Sequence, residues 1–124
     1  MKNKILLSII IPTKDRHFYL EKCLKSLLEI EDENFEIIVN DNSEVKFKSS
    51  LLNNTKIKYF HTTEFLTITQ NFSSALDKSS GEYVSFIGDD DGINPFILNY
   101  VNFCKINNLD AGVGNVASKF IWKD

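Results

Sequence analysis

Short apolar runs of strand length alternate along this chain with segments in which apolar residues recur every three or four positions. The clearest run is residues 5–11 (ILLSIII), a stretch of Ile and Leu interrupted by a single serine. Such a run is typical of a strand that is covered on both faces, as in a parallel sheet. Shorter runs at residues 35–39, 57–60 and 82–87 predict three further strands.

Helical patterns occupy the intervals between these predicted strands. Residues 17–30 carry an apolar stripe on one helical face, made of Leu20, Cys23, Leu24, Leu27 and Leu28. Residues 67–78 carry a second stripe, which we expect to end with Gly81 as a left-handed C-terminal cap. A third helix is predicted to begin at Asn94 as its N-cap, with Pro95 in the first helical position.

This alternation predicts an α/β fold with a mostly parallel sheet flanked by helices. A last strand is expected at residues 111–116, and the length of 124 residues is typical of a single domain, residues 1–124. In open α/β sheets, ligands bind beyond the carboxyl ends of the strands. The polar residues that directly follow each strand are therefore the candidates for a functional site.

Charge and cysteine content exclude some classes of function. The net charge of −3, the pI near 5.4 and the scattered Lys and Arg residues predict no nucleic-acid partner. Cys23 and Cys104 are expected to be reduced core thiols, with a disulfide as the alternative. Together with only two histidines, they do not supply a tetrahedral zinc site.

The N-terminus has the basic start and apolar stretch of a signal peptide, but the stretch stops at Pro12 without a small-residue cleavage site. It is also far too short to cross a bilayer. We therefore expect a cytoplasmic protein, with peripheral attachment to the inner face of the membrane as a variant of that prediction.

Three groups of polar residues follow predicted strands. Thr13, Asp15 and Arg16 come after the first strand, Asp41 after the second, and residues 89–91 (DDD) after a later one. Because the carboxyl ends of parallel strands meet at one edge of the sheet, we expect the three groups to converge there.

The three consecutive aspartates stand between Gly88 and Gly92. Like charges this close destabilise the local fold unless a cation or hydrogen bonds compensate. A hard divalent cation compensates through carboxylate oxygens, and it suits phosphate chemistry as a Lewis acid. Arg16 and Lys14 are candidates for a further phosphate contact. The alternatives are a solvated acidic turn and two ordinary surface cations.

Three segments resemble family 2 glycosyltransferases. Residues 8–16 (SIIIPTKDR) are similar to the opening of that family, and residues 35–43 (FEIIVNDNS) to its second strand. Residues 81–91 (GEYVSFIGDDD) are similar to the strand that carries its metal-binding motif. The resemblance covers nearly the whole chain. It implies a Rossmann-like GT-A fold and a nucleotide-diphosphate sugar as donor, often a uridine one.

The resemblance also implies roles for particular residues. Pro12 and Thr13 would line the base, with Arg16 nearby. Asp41 would accept a hydrogen bond from the uracil ring N–H, since a carboxylate accepts but does not donate. Asn71 falls where many members place a polar residue facing the donor, with a helix-surface amide as the equal alternative.

The acidic segment would hold the diphosphate end of the donor. By the resemblance, Asp89 would lie near the ribose and phosphates, while Asp90 is the first candidate ligand of a divalent Mg or Mn ion and Asp91 the second. Asn40 and Gly88 depart from the family pattern, which usually has Asp at both positions. These two departures leave the preference for base and sugar open.

The implied activity is inverting, metal-dependent transfer of a sugar, with UDP as the leading donor nucleotide, to a glycan or lipid-linked acceptor in cell-surface polysaccharide synthesis. Family members usually continue into an acceptor-binding half that holds the catalytic base. We expect that half to be missing here, so no catalytic residue is assigned. An apolar surface that this half would otherwise cover favours a homodimer.

The alternative function is a non-catalytic nucleotide-binding module or an inactive fragment of such an enzyme. Other phosphate enzymes are disfavoured, because residues 12–16 (PTKDR) are not the Gly-rich loop of nucleotidyltransferases.

Overall fold

The computed structural model of the chain describes residues 4–114. Four strands and three α-helices follow one another in this part of the chain. They are β1 (Leu7–Thr13), α1 (His17–Leu28), β2 (Phe35–Asp41), β3 (Ile57–His61), α2 (Ile68–Leu76), β4 (Tyr83–Phe86) and α3 (Ile97–Ile106), with a short 3-10 helix (Ser50–Asn53) before β3. The predicted alternation of strands and helices is thus confirmed over the described residues.

The four strands form one parallel sheet in the order β3-β2-β1-β4. In this register Thr13 of β1 lies beside Asp41 of β2, which in turn lies beside His61 of β3. On the other side, β1 pairs with β4 from Leu7 to Ile10. The carboxyl ends of β1, β2 and β4 therefore face the same edge, and the predicted α/β fold with a mostly parallel sheet is confirmed.

The two faces of β1 explain its continuous apolar run. Leu7, Ile9 and Ile11 point into the larger core cluster, which also contains buried residues of α1 and α3. Ile10 points to the opposite face and packs with Ile38 of β2 and Ala75 of α2. Complete burial of an aliphatic side chain stabilises a fold by about 1.5–3 kcal/mol. In a strand covered on both faces, successive side chains each contribute this stabilisation.

A buried carboxylate fastens the amino-terminal end of the sheet. Glu36 accepts hydrogen bonds from the Ser8 hydroxyl (2.6 Å) and from the backbone N–H of Ser80 (2.6 Å), and Lys58 forms an ion pair with it. Burial alone would raise the pKa of Glu36. These contacts outweigh that effect, so the pKa lies below its usual value. Glu36 thereby joins β1, β2, β3 and the segment that follows α2.

Two predicted helix boundaries are wrong. Helix α2 ends at Leu76 with Asp77 in a right-handed helical conformation, and none of the described glycines has positive φ, so Gly81 is not a left-handed cap. Gly81 is required for another reason: a Cβ there would lie 2.5 Å from the backbone nitrogen of Ser8. Helix α3 begins at Ile97, after a turn in which Asn94 accepts a hydrogen bond from the N–H of Phe96.

The remaining predictions are decided in part. Residues 111–114 do not form a strand, and the rest of the strand expected at residues 111–116 lies outside the described residues. Cys23 and Cys104 are free and buried, as predicted. No helix in residues 4–114 has both the length and the apolar character needed to cross a membrane.

Replacing Glu36 with Gln should destabilise the fold in a pH-dependent way. We expect a loss of about 1–3 kcal/mol in unfolding free energy at neutral pH, because charge-assisted hydrogen bonds to a buried group are removed. Since the folded pKa of Glu36 is depressed, its contribution is present above the unfolded pKa and is lost as the pH falls through the folded pKa. The deficit should therefore shrink on acidification.

Urea denaturation of wild type and Glu36→Gln across the acidic range measures this. Glu31→Gln, which changes an exposed glutamate, is the matched control and should follow the wild type. A Glu36→Gln deficit that stays constant with pH would contradict the assignment.

Candidate donor-binding site

Two loops meet beyond the carboxyl ends of β1 and β4. The Thr13 hydroxyl donates a hydrogen bond of 2.7 Å to Asp89 Oδ2. The guanidinium of Arg16 lies 3.3 Å from Asp89 Oδ1 through Nε and 2.6 Å from Asp90 Oδ2 through Nη2. Residues that are more than seventy positions apart in the chain are thus in direct contact. The predicted convergence of the first and third polar groups is confirmed.

Asp89 is the buried member of the acidic segment, with 5% of its surface exposed. Burial raises its pKa, which the Thr13 hydroxyl and the Arg16 charge only partly oppose. An ionised Asp89 therefore costs free energy in the folded state. Such unfavourable burial of a carboxylate is typical of functional sites more than of structural ones.

Asp90 and Asp91 are exposed and fold around Gly88. The N–H of Gly88 donates to Asp91 Oδ2 at 2.8 Å. A Cβ on Gly88 would lie 2.9 Å from Asp91 Oδ2 and 3.0 Å from Asp90 Oδ1. Glycine at this position therefore leaves a small space that is bordered by one oxygen from each carboxylate.

The carboxylates of Asp90 and Asp91 could hold a divalent cation that is only partly ligated by protein. Mg²⁺ is usually bound through one or two carboxylates, with phosphates and water as the other ligands. The oxygens of Asp90 and Asp91 match this requirement. No group of three or more His, Cys, Asp or Glu residues within residues 4–114 has the arrangement of a metal site made of protein alone.

A thiol lies beneath the acidic loop. Cys23 Sγ of α1 is 4.0 Å from the carbonyl oxygen of Gly88. Burial, together with the charges of Asp89, Asp91 and Asp90, raises the pKa of Cys23 to about 12. The thiol is thus protonated at neutral pH and packs as a small apolar group.

Asp41, at the end of β2, is completely buried. Its Oδ1 accepts from the N–H of Ser43 at 3.0 Å and from the Ser43 hydroxyl, and its Oδ2 accepts from the hydroxyl of Tyr59 at 2.6 Å and from the N–H of Phe47 at 3.3 Å. His17 Nε2 also lies 3.3 Å from Oδ2. Both oxygens are therefore engaged by protein groups.

These hydrogen bonds decide the charge of Asp41. Burial would raise its pKa, but the bonds from Ser43, Tyr59 and Phe47 outweigh that effect and hold the pKa below its usual value. Asp41 is thus ionised, and it fixes the turn that follows β2. The direct contact of Asp41 with uracil stays a prediction, because this conformation offers a ligand neither of its oxygens.

The turn after β2 is hydrogen-bonded to the loop after β1. The Ser43 hydroxyl accepts a hydrogen bond of 2.7 Å from the N–H of Asp15. Asp15 has a φ of 54°, a left-handed conformation that non-glycine residues adopt at some cost. The bond to Ser43 therefore helps to hold a strained loop directly beside Arg16.

Asn71 is buried beside the loop that follows β1 and lines the cavity described below. Its Nδ2 donates to the carbonyl of Thr13 at 3.3 Å, and its Oδ1 accepts from Asn40 Nδ2 at 2.7 Å. It is 6% exposed, so the alternative of a surface amide is wrong. A capping box between Thr67 and Gln70 fixes the start of α2 and hence the direction of this side chain.

A cavity of about 300 Å³ lies between these loops and α2. Its wall contains predicted site residues together with neighbours on the same loops: Pro12, Thr13, Lys14, Arg16, Ile68, Asn71, Phe72, Gly88, Asp89 and Asp90. Of the predicted site residues, Asp41 and Asp91 are not part of this wall.

Sequence reasoning missed the apolar part of the wall. Ile68 and Phe72 belong to the apolar stripe predicted within residues 67–78, yet both line the cavity and Ile68 is 79% exposed. The available signal was their one-turn spacing beside Asn71, since residues four apart share a helix face. That spacing does not show which face meets the sheet.

Comparisons with known proteins show which family the chain matches. Residues 8–121 match the family described as Glycosyl transferase family 2. A β-1,3-glucosyltransferase of Campylobacter jejuni, named for its acceptor GalNAc(5)-diNAcBac-PP-undecaprenol, is 36% identical over 91 residues, which are 68% of this chain and 29% of that protein. An uncharacterized glycosyltransferase of Haemophilus influenzae is 31% identical over 93% of this chain and 48% of its own length.

Solved structures show the same fold. The S. aureus TarS fragment 1–349 superposes with a TM-score of 0.69 at 24% identity, over 83% of this chain and 33% of that one. The same fragment has also been solved in complex with UDP, with a TM-score of 0.65. The fold is therefore the Rossmann-like GT-A fold that the sequence resemblance implied.

This chain belongs to glycosyl transferase family 2. It spans 29% to 48% of the length of the two relatives described above.

The two buried carboxylates of the site should respond oppositely to neutralisation. Asp41→Asn should lower the melting temperature, with a cost of about 2–4 kcal/mol, because it removes charged acceptors from buried donors. Asp89→Asn should leave the melting temperature at neutral pH unchanged or higher, since ionised Asp89 is disfavoured by burial. Thermal melts of the two variants and wild type measure both effects.

The pH dependence should differ in sign as well. The folded pKa of Asp41 is depressed, so its stabilisation is lost as the pH falls. The folded pKa of Asp89 is raised, so the cost of its charge disappears as the pH falls through that pKa. Equal destabilisation by the two substitutions at neutral pH would refute the distinction.

Proposed function

We propose that this chain binds the nucleotide-diphosphate donor of a glycosyl transfer reaction, with UDP as the nucleotide. The observation that carries the proposal is the contact of Thr13 and Arg16 with Asp89 and Asp90, which closes one cavity at the carboxyl edge of the sheet. That edge is where open α/β sheets bind nucleotides.

The nucleoside lies at the β1 and β2 side of the cavity in this proposal. Pro12 and Thr13 line the base, and Asn71 is held beside them by its bond to the Thr13 carbonyl. We assign Asp41 a positioning role, since it shapes the turn whose Ser43 holds the loop after β1. A uracil N–H reaches Asp41 only after Tyr59 or Phe47 gives up its bond to the carboxylate.

The diphosphate lies towards the acidic loop. Asp89 is near the ribose and phosphates, and Asp90 with Asp91 would hold a Mg or Mn ion between them. The cation, when bound, neutralises charge on the departing diphosphate. Arg16 and Lys14 are the cationic side chains in the wall of the cavity, and the guanidinium suits phosphate oxygens geometrically.

The reaction we propose is transfer with inversion to a glycan or lipid-linked acceptor in cell-surface polysaccharide synthesis. The name of the Campylobacter relative, which specifies an acceptor on undecaprenol diphosphate, supports a lipid-linked acceptor. The UDP complex of TarS supports the donor nucleotide. A general base has to deprotonate the acceptor hydroxyl, and we assign it to none of residues 4–114.

A second candidate is nucleotide binding without transfer. It is favoured by the engagement of the site carboxylates, since Asp41 and Asp89 are both buried and hydrogen-bonded. Neither is placed to act as a base towards an acceptor. Release of free sugar or transfer from a UDP-sugar would count against this candidate.

The expected homodimer stays a prediction. Val84 and Phe86 on β4 are 41% and 46% exposed, and Leu76 of α2 is 40% exposed, so this side of the sheet carries uncovered apolar surface. A single monomeric species in gel filtration at high concentration would contradict a homodimer.

Calorimetric titration of UDP with and without Mn²⁺ tests the donor site. We expect metal-dependent binding to wild type. Asp90→Ala should lose about tenfold or more in affinity, because it lacks one of the two carboxylates proposed to hold the cation. Asp77→Ala, which removes an aspartate at the end of α2, should bind like wild type.

Folded protein that binds UDP under neither condition would contradict UDP as the donor nucleotide. The same titration with GDP and CDP then tests whether another nucleotide takes its place. Failure with all three would contradict the proposed donor site.

A further inference from the structure

Arg16 occupies a carboxylate that the proposed cation also requires. Its Nη2 lies 2.6 Å from Asp90 Oδ2, and its Nε lies 3.3 Å from Asp89 Oδ1. We propose that Arg16 acts as an internal counter-ion that competes with the divalent cation for Asp90. When the diphosphate binds, the guanidinium leaves the carboxylates and pairs with the phosphate oxygens. The inference rests on the proposed function and adds a coupling between its two ligands.

The position of Arg16 suits a side chain with two partners. Arg16 is the N-cap of α1, but its side chain makes no capping hydrogen bond, so its head is available for the acidic loop. The guanidinium carbon lies 4.8 Å from the ring centroid of Tyr19, which supports the flat face of the group. The side chain is 44% exposed and lines the cavity, so it can turn towards a ligand without opening the core.

The contact with Asp90 weakens cation binding in the absence of nucleotide. A cation on Asp90 would have to share the carboxylate with a guanidinium at hydrogen-bond distance, and two positive centres this close repel. A guanidinium keeps its charge at every accessible pH, so this repulsion is always present. A cation at Asp90 Oδ1 therefore shares the carboxylate with the guanidinium on Oδ2 and binds more weakly while Arg16 stays there.

A diphosphate removes this obstacle. Its oxygens offer the guanidinium two parallel hydrogen bonds. Arg16 now makes one hydrogen bond, to Asp90 Oδ2, and an ion pair of 3.3 Å with Asp89 Oδ1. Once Arg16 has moved to phosphate, its positive charge no longer opposes a cation at Asp90. Cation and diphosphate should therefore each raise the affinity for the other, by the same factor.

Mn²⁺ binding to the full chain without nucleotide tests the competition between Arg16 and the cation. The electron paramagnetic resonance signal of free Mn²⁺ measures the binding. We expect Arg16→Gln to bind Mn²⁺ about fivefold or more tightly than wild type. Arg16→Met, which keeps the aliphatic packing against Tyr19, should do the same. Arg16→Lys should stay near wild type, because it retains the charge.

Two controls separate a specific ion pair from general electrostatics. Lys25→Gln removes a positive charge that pairs with Glu21 on α1. Lys105→Gln removes one that pairs with Glu82, at the other end of β4 from the acidic loop. Both should change Mn²⁺ affinity by less than twofold, while circular dichroism confirms that every variant is folded. Equal or weaker Mn²⁺ binding by Arg16→Gln and Arg16→Met overturns the inference.

Repetition with UDP present distinguishes failure of the inference from failure of the proposed function. The factor by which UDP raises Mn²⁺ affinity, corrected for Mn²⁺–UDP formation in solution, should be about fivefold smaller in Arg16→Gln than in wild type. If this factor is the same in Arg16→Gln and wild type, the proposed movement of Arg16 from Asp90 to the diphosphate is overturned, while the proposed donor site is not affected. Absence of UDP binding to wild type overturns the proposed function, and with it the transfer of Arg16 to a diphosphate.

Discussion

The hydrogen bond from Thr13 to the buried carboxylate of Asp89 connects the two loops on which the site depends. Thr13 ends β1, an interior strand of the sheet, and Asp89 follows β4, which is at the edge of the sheet among the described residues. Within residues 4–114, β4 pairs with β1 from Tyr83 to Phe86, and one further backbone bond runs from the Ile87 N–H to the Ile10 carbonyl, so strand pairing does not hold the loop beyond it. The buried carboxylate of Asp89 anchors this loop to β1, and Arg16 partly compensates its charge. Asp90 is held in the cavity wall as a consequence.

Asp41 and Asp89 show how environment assigns different roles to two buried aspartates. Asp41 accepts hydrogen bonds from several protein donors, so its ionised form is favoured and it stabilises a turn. Asp89 has fewer donors, and burial dominates, so its charge is a cost that the fold carries. A carboxylate kept at such a cost is easier to explain as a contribution to ligand binding than to stability. Asp41 therefore stabilises the structure around the site, whereas Asp89 belongs to the part that we propose binds the ligand.

The exposed end of the site consists of Asp90, Asp91 and Arg16, and it differs from a preformed metal centre. Two carboxylate oxygens border the space beside Gly88, and a guanidinium holds one of the two carboxylates. An arrangement of this kind favours a cation that arrives with its phosphate ligand over one that binds alone. Family membership is established over residues 8–121, whereas the relatives extend well beyond the length of this chain. Acceptor binding is therefore part of the proposed function and not of what family membership establishes.

The sequence by itself determined the α/β class, four of the strands and the edge at which the candidate site lies, because hydrophobic period and polar residues after apolar runs are local signals. It also singled out Asp89 and Asn71 as candidate site residues, although not that both are buried. The structure alone decided which oxygens are engaged, since the bonds of Asp41 and of Arg16 join segments distant in the chain. Gly81 illustrates the same limit: its local pattern predicted a helix cap, but its requirement comes from the approach of Ser8 across the sheet. Contacts between remote segments depend on packing, which local patterns do not encode.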